Sequence, residues 1–582
     1  MNAYKHPFLL ASAFVFISLF FVFDSSIASA ATYYTCNNAS TCGSGWVTGS
    51  DTNSCNSKST ACGTIRGGIL KMLGGDELVI GDGTYTGTSN RIYGLPTGTA
   101  QSYTKIYAEN DWGVTLSATG NNIYEPPVDI RANYVLIRGL KVINFLGEKF
   151  SLRGDYIKVI RSATDGAGGS SGSFVVYGNY GLVEESYSWG GPNRYVFRTS
   201  HAYGGGDYAI FRRNVCRWDY SNTNEPQSCF ANYDTSFTFY QNNIAIDGID
   251  NRAQDHTYDG LKGFFTPNGA SETHFDGSIS LNMEGAGFWI EDSPVANVTL
   301  TNCVAWDNKN HANASTDGYP PRTFYSRAGS GPLVLNHCTF GSSGWTSRVI
   351  DSDLGTEDTI KNSIIANFTA ITDYAEDGFN TSNYNDYYGN AGGRNKSGGM
   401  GPNSITINPF TNGLSYLPRI EDGSTLKNSG EAAGQIGAQI TKRVGVSGTL
   451  YGEQGWNETT SEDLWPFPNE DVIKRDMASF YKSAGQAYTG SPEMIGARGF
   501  AASGNGLYGG PITLTSYIWE YLGNPCPADI CNYGTQTFHL ADTNQNNRIE
   551  MRELIAFIGR WKSGQAILAD VMSALGKWMS GS

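Results

Sequence analysis

Apolar positions in this chain alternate over short runs that recur, and no helical period links them over most of its length. Seven segments align: "GLVEESYSWGG", "AIFRRNVCRWD", "FTFYQNNIAID", "THFDGSISLNM", "VTLTNCVAWDN", "LVLNHCTFGSS" and "DTIKNSIIANF". Each opens on an apolar anchor, passes two mostly polar positions and a small or amide residue, and then alternates again. The anchors are Val183, Phe211, Phe239, Phe275, Leu300, Leu335 and Ile360, with weaker repeats around Ile137 and Val159. Three places after the anchors stand Ser186, Asn214, Asn242, Ser278, Cys303, Cys338 and Ser363. Stacked turns need such a column of small, hydrogen-bonding residues, because their side chains sit one strand spacing apart. Most repeats carry a second strand-like run before the anchor, such as "YVFRTS", "CFANY", "GFFTP" and "GFWIED".

Two or three short strands per repeat, with spacings of 22 to 36 residues, exclude a helical solenoid and a βαβ sheet. They also fall short of a four-stranded propeller blade. The pattern predicts a mainly β fold, a right-handed parallel β-helix, with the hand taken from the general bias of parallel crossovers. Cys303 and Cys338 then occupy one column in adjacent coils, near enough to bond or to stack.

The chain resembles the secreted parallel β-helix proteins of the polysaccharide-lyase-like superfamily, which includes the chondroitinase-B-like group. "GTIRGGILKMLGGDELVIGDGTYTG" is similar to that group's N-terminal cap helix and first coil, and "SNYNDYYGN" with "LKNSGEAAGQIGAQI" to its closing coils. The resemblance covers about residues 32–440. It implies the fold; the superfamily mixes lyases, hydrolases, epimerases and non-enzymes, so it implies no single activity.

Both ends depart from this repeat. Residues 1–30 read as a secretory signal peptide: Lys5 and His6, the apolar run "FLLASAFVFISLFFVF", and a small-residue "ASA" ending at Ala30. Residues 31–440 are then the β-helix with its cap. Residues 441–530 form an irregular strap rich in Trp, Pro and Gly, expected on the exterior or the end of the helix. Residues 531–582 form a small α-helical module.

That module carries the sharpest motif. "DTNQNNRIEMRE" offers oxygens at places 1, 3, 5, 7, 9 and 12 of a twelve-residue EF-hand-like loop: Asp542, Asn544, Asn546, the carbonyl of Arg548, Glu550 and Glu553. Ile549 stands at the apolar anchor place. Asn547 replaces the usual glycine and is the residue that best tolerates a left-handed backbone there. The following "ELIAFIGRWK" and "DVMSALGKWM" match one another, Leu554 with Val571 and Trp561 with Trp578, with apolar residues at helical spacing. The expected cofactor is Ca²⁺ on a helix pair resembling EF-hand or dockerin-like modules.

Composition changes the picture less. A net charge of -14 argues against nucleic acid as a partner. The ten cysteines fall into local groups: Cys36, Cys42, Cys55 and Cys62; Cys216 with Cys229; Cys303 with Cys338; Cys526 with Cys531. No Cys-x-x-Cys pair or His at ligand spacing accompanies them, so structural bridges are favoured over zinc.

No motif delivers the paired carboxylates of a glycosidase or the cation and base of a lyase. A positional signal remains. The two longest intervals hold "DGIDNRAQDHTYDGLKG" and "DNKNHANASTDGYPPR", excursions from one repeat position about two coils apart. They carry the candidate catalytic residues Asp255, His256, Asp259, Lys309 and His311, with Lys262 and Asp307 beside them. Arg198, His201, Arg212 and Arg213 are candidates to border the same face. The reading is an exported, calcium-binding β-helix protein that engages extracellular polysaccharide and, as a lyase or hydrolase, cleaves it. Its rival is a non-catalytic surface, adhesion or envelope protein using the β-helix as a rod, with the tail module engaging a cell-surface or assembly partner.

Overall fold

The computed structural model describes residues 30–580 apart from 167–171, 191–193, 218–227, 249–261, 268, 284, 292–295, 309–321, 327–331, 344–347, 353–357, 369–375, 378, 391–400, 484–498, 502–505, 507, 509, 532–540, 542–548, 550 and 564–567. Among these residues the chain coils through three parallel sheets of 13, 12 and 11 strands, here sheets A, B and C. Each coil passes from A to B to C, so every strand pairs with those one coil before and after. This is a parallel β-helix.

The turn from A to B is made by a single left-handed residue. Asn242, Asn302 and Asn362 hold φ near 50° there, as do Arg161, Glu185, Arg213 and His337. Asn adopts this conformation at small cost, whereas the bulkier residues carry strain that their contacts must offset. The column after it is the hydrogen-bonding ladder expected from sequence. Ser186 N donates to Asn214 Oδ1 at 2.9 Å, Asn214 N to Asn243 Oδ1 at 2.9 Å, and Ser363 N to Asn385 Oδ1 at 2.9 Å.

One rung corrects the alignment. Phe211 registers with Tyr240, not Phe239, so the ladder residue of that coil is Asn243 and Asn242 is the turn. A slip of one residue exchanges faces: Tyr240 enters the core, while Phe239 packs outside with Leu182, Ile210 and Leu450. Two adjacent aromatics left both registers compatible with the sequence pattern.

Inside the coil, Phe150, Phe174, Phe197, Phe230, Phe264 and Phe288 stack with centroids 4.7, 4.8, 4.9, 4.9 and 4.7 Å apart. That is the strand spacing itself. Cys303 and Cys338 lie in this core as free thiols. Each points back to a carbonyl of the preceding coil, Phe275 O at 3.4 Å and Leu300 O at 3.6 Å. Ser278 does the same toward Tyr240 O. They stack as ladder residues, and the disulfides are Cys36–Cys42, Cys55–Cys62, Cys216–Cys229 and Cys526–Cys531.

The outer face of sheet B is apolar and covered. Tyr187, Trp189, Ile246, Leu281 and Trp306 pack against Trp465, Met477, Leu514, Tyr517 and Trp519 of the C-terminal part. The turn between the helices Met551–Lys562 and Leu568–Ser580 lies outside the described residues; Ile549, Leu554, Phe557, Val571 and Ala574 form a cluster of their own there. No helix of the described residues is long and apolar enough to cross a membrane.

Asp386, in the last strand of sheet B, is fully buried with Oδ2 unpartnered and Oδ1 accepting only from Ile407 N at 3.1 Å. Burial raises its carboxyl to about 7. An acid with a raised folded pKa binds its proton in the folded state while the unfolded chain has lost it, so stability falls as pH rises from about 4 to about 7. Asp386→Asn should therefore raise the melting temperature at pH 8 and change little at pH 4; an equal shift at both pH values would contradict it.

Candidate functional site

The C-terminal part covers much of sheets A and B; on sheet C the outward row is itself mostly buried, with Asp129 and Arg198 its partly exposed members. That row runs in strict register: Asp129, Ser151, Val175, Arg198, Ala231, Phe265, Trp289 and Tyr325. The row advances one strand spacing per coil, ~4.8 Å, close to the rise of one sugar residue in an extended glycan.

The polar end of the row is built by three consecutive strands, Phe150–Leu152, Phe174–Val176 and Tyr195–Ser200. Arg153 and Tyr177 stand just beyond the first two, and Arg198 stands within the third. Arg153 Nε donates to Ser151 Oγ at 3.1 Å and lies 3.6 Å from Asp129 Oδ1. Its guanidinium sits 4.4 Å from the centre of the exposed Tyr203 ring. Tyr177 donates its hydroxyl proton to Glu148 Oε1 and accepts from Arg198 Nη2 at 3.5 Å. The Arg198 guanidinium lies 5.3 and 5.7 Å from the rings of Tyr195 and Tyr233.

Three atoms of this cluster are buried without a hydrogen-bond partner: Arg198 Nε, Glu148 Oε2 and Asp129 Oδ1. Native structures rarely leave buried polar atoms unpaired, and here an unpaired donor and acceptor flank one hydroxyl. Burial raises the Tyr177 hydroxyl above its usual value, and the adjacent Glu148 charge adds to this against the opposing Arg198. Tyr177 therefore keeps its proton at neutral pH. Two guanidinium groups two coils apart, with Tyr177 on the coil between them, suit a carboxylate or sulfate, which Arg binds through paired donors.

The residues singled out from sequence fare differently. Asp255, His256, Asp259, Lys309 and His311 lie outside the described residues, as do Asp542, Asn544, Asn546, Arg548 and Glu550. The residues flanking the two excursions place both exits at one corner, after Ile244–Ile246 and Val304–Trp306 of sheet B, two coils apart. Both lead into strands of sheet C. Lys262 opens one of these, buried, its ammonium 4.8 Å from the rings of Phe265 and Trp289. Asp307 is buried and its Oδ1 accepts from Ser343 N at 2.6 Å, a structural tie.

Arg198 faces outward on sheet C as anticipated, and His201 sits in an exposed turn beside it. Arg212 and Arg213 do not border that face. They belong to sheet A and its turn, where they are fully buried under residues 444–456. Glu148, Arg153 and Tyr177 escape sequence reasoning because their spacing forms no motif; only the coil register brings them together.

No family model matches the chain, and no curated protein matches it. Similar solved structures include the pectate lyase Pel9A, with a TM-score of 0.41 and 14% identity over 71% of this chain and 96% of that one. A PL6 alginate lyase in complex with a trisaccharide gives a TM-score of 0.41 and 11% identity, over 64% and 91% of the two chains. The catalytic unit of a GH87 α-1,3-glucanase from Streptomyces thermodiastaticus gives 0.35 and 11%, over 59% and 64%. Overlaps this partial carry no argument about activity. The fold class stands on the sheet register described above, and the site on the geometry of Arg153, Tyr177, Arg198 and Glu148.

Proposed function

We propose that the protein binds an acidic extracellular polysaccharide along the outer face of sheet C and cleaves it by β-elimination. The observation that carries the reading is the pair of unpartnered atoms, Arg198 Nε and Glu148 Oε2, on either side of the Tyr177 hydroxyl. Arg153 and Arg198 pair with the uronate carboxylate and so acidify the proton on the adjacent carbon. Glu148 takes that proton, the bond to the glycosidic oxygen breaks as the ring double bond forms, and Tyr177 gives its proton to the leaving oxygen. The hydrogen bond from Tyr177 to Glu148 is the route by which the captured proton resets the hydroxyl. The four disulfides fit an oxidising, extracellular setting.

Incubation with a panel of uronate-containing polysaccharides should generate unsaturated ends absorbing in the ultraviolet. Reducing ends without that absorbance would mean hydrolysis, and silence across the panel would favour the rod-like scaffold.

The tail module is proposed to bind Ca²⁺ through Asp542, Asn544, Asn546, Arg548 O, Glu550 and Glu553. Of these Glu553 is described: it is buried in the first turn of Met551–Lys562, and Ile549 is buried as well. Among the described residues no group of three or more His, Cys, Asp or Glu forms another metal site. Bound Ca²⁺ would close the loop against the two helices and stabilise the module. In the full chain, calcium should raise the melting temperature of one transition relative to chelator. The double variant Asp542→Asn, Glu553→Gln should lose that shift; an undiminished shift would place the metal elsewhere.

A further inference from the structure

The column that holds Arg153 and Tyr177 continues one coil toward the N-terminal cap. Ile130, Leu152 and Val176 are in register. The residues that follow them, Arg131, Arg153 and Tyr177, therefore occupy one position in three successive coils, ~4.8 Å apart. Arg131 lies outside the cluster of Glu148, Arg153, Tyr177 and Arg198.

Its side chain is open to solvent, 69% exposed against 23% for Arg153. Arg131 Nε donates to Asp129 Oδ2 at 3.2 Å, and Nη2 lies 3.1 Å from the same oxygen. A guanidinium carries five N–H donors in a planar fork. Asp129 takes one edge of that fork and orients it, while the Nη1–Nη2 edge meets no acceptor among the described residues. Asp129 itself lies between two arginines, since Arg153 Nε is 3.6 Å from its Oδ1. One carboxylate against two guanidinium groups leaves positive charge in surplus, on a chain whose net charge is -14. The next coil is open as well: Tyr93, in register with Asp129, is exposed.

An exposed ion pair contributes little to stability, so the fold itself makes small use of Arg131. An oriented, solvent-facing guanidinium edge instead suits a carboxylate or sulfate on a ligand, bound through paired donors. We propose that Arg131 binds the acidic group of a second sugar, the neighbour of the one held at Arg153 and Arg198. The glycan then runs along the coils toward the N-terminal cap, one sugar residue per coil. This subsite rests on the reading of sheet C as the glycan face.

Affinity electrophoresis of the full chain through gels containing polygalacturonate, alginate or chondroitin sulfate should show retardation by at least one of them. Arg131→Ala, at an exposed position where substitution spares the fold, should weaken that binding about tenfold, the worth of one charge-assisted contact. Arg131→Lys should fall between the two. The loss should shrink as sodium chloride is raised, because salt screens exposed charges. Lys442→Ala removes one exposed positive charge from the strand Lys442–Val444, away from sheet C, and should leave binding unchanged. Unchanged affinity in Arg131→Ala, an equal loss in Lys442→Ala, or no retardation of the wild type by any of the three polymers would overturn the subsite. Arg131-dependent binding without release of unsaturated ends would instead sink the elimination reading and leave the subsite standing.

Discussion

Glu184→Ala is expected to destabilise the protein by about 3–5 kcal/mol, the usual consequence of removing one partner from a buried ion pair. Glu184 is buried on sheet A with Arg213 hydrogen-bonded to its Oε1, and Arg212 lies 3.7 Å from the same oxygen. Its Oε2 accepts from Gly448 N at 2.7 Å. Both guanidinium groups also donate to the segment above them, while Arg212 Nε donates to Gln241 Oε1 at 2.7 Å. Arg212 donates to Val446 O at 2.8 Å and Trp456 O at 2.9 Å, and Arg213 to Val444 O at 3.2 Å and Ser447 Oγ at 2.8 Å. Burial already lowers Arg212 to about 10, with Glu184 the main opposing influence. Without that carboxylate, Arg212 loses its ion-pair partner, while Arg213 keeps Glu185, 3.5 Å from its Nε. Chemical denaturation followed by tryptophan fluorescence would measure the loss, and proteolysis within residues 444–456 should accelerate in parallel. A loss below about 1 kcal/mol would mean that water reaches the pair. Replacing Glu184 and Arg213 together by apolar residues of similar volume should recover much of the deficit, since the pair as a whole is worth far less than either half alone.

The second large effect concerns activity. Arg198→Ala should lower the rate of appearance of unsaturated ends about 100- to 1,000-fold, the range seen when one preorganised donor is removed from a developing anion. Arg198→Lys keeps the charge but cannot offer the forked donors, so it should fall between the two. Tyr177→Phe removes the proton donor without changing the ring contacts, and its loss should appear in kcat with KM nearly unchanged. Arg153 stacks on the exposed Tyr203 ring, so Arg153→Ala should act mainly through KM. Full activity in Arg198→Ala would remove sheet C as the catalytic face and return the excursions that carry His256 and His311 to first place.

These two sets of arginines show how far the sequence reached. Arg198, Arg212 and Arg213 have the same local appearance, charged residues in short alternating strands. The ladder column and the exit corner of both long excursions were legible, because they depend on a period of two within strands and on one fixed corner per coil. The role of each arginine was not, since it depends on which sheet the residue faces and on what covers that sheet. The Phe239–Tyr240 slip has the same origin: two aromatics in a row satisfy the pattern in either register, and only pairing with Phe211 and Phe275 chooses.

By itself the sequence determined the coil. Small or amide residues in the ladder column, Asn at several left-handed turns and alternating apolar runs point to a parallel β-helix. It also wrote the spacing of oxygen-bearing residues from Asp542 to Glu553, since such a loop is contiguous. Tertiary structure decided what the coil presents. Residues separated by more than 200 positions meet where Arg212 and Arg213 hold the C-terminal segment over sheet A. Glu148, Arg153, Tyr177 and Arg198 meet on sheet C because successive coils stack one strand spacing apart. Such contacts arise from stacking many turns of variable length, and variable loop length is what erases a fixed spacing from the sequence.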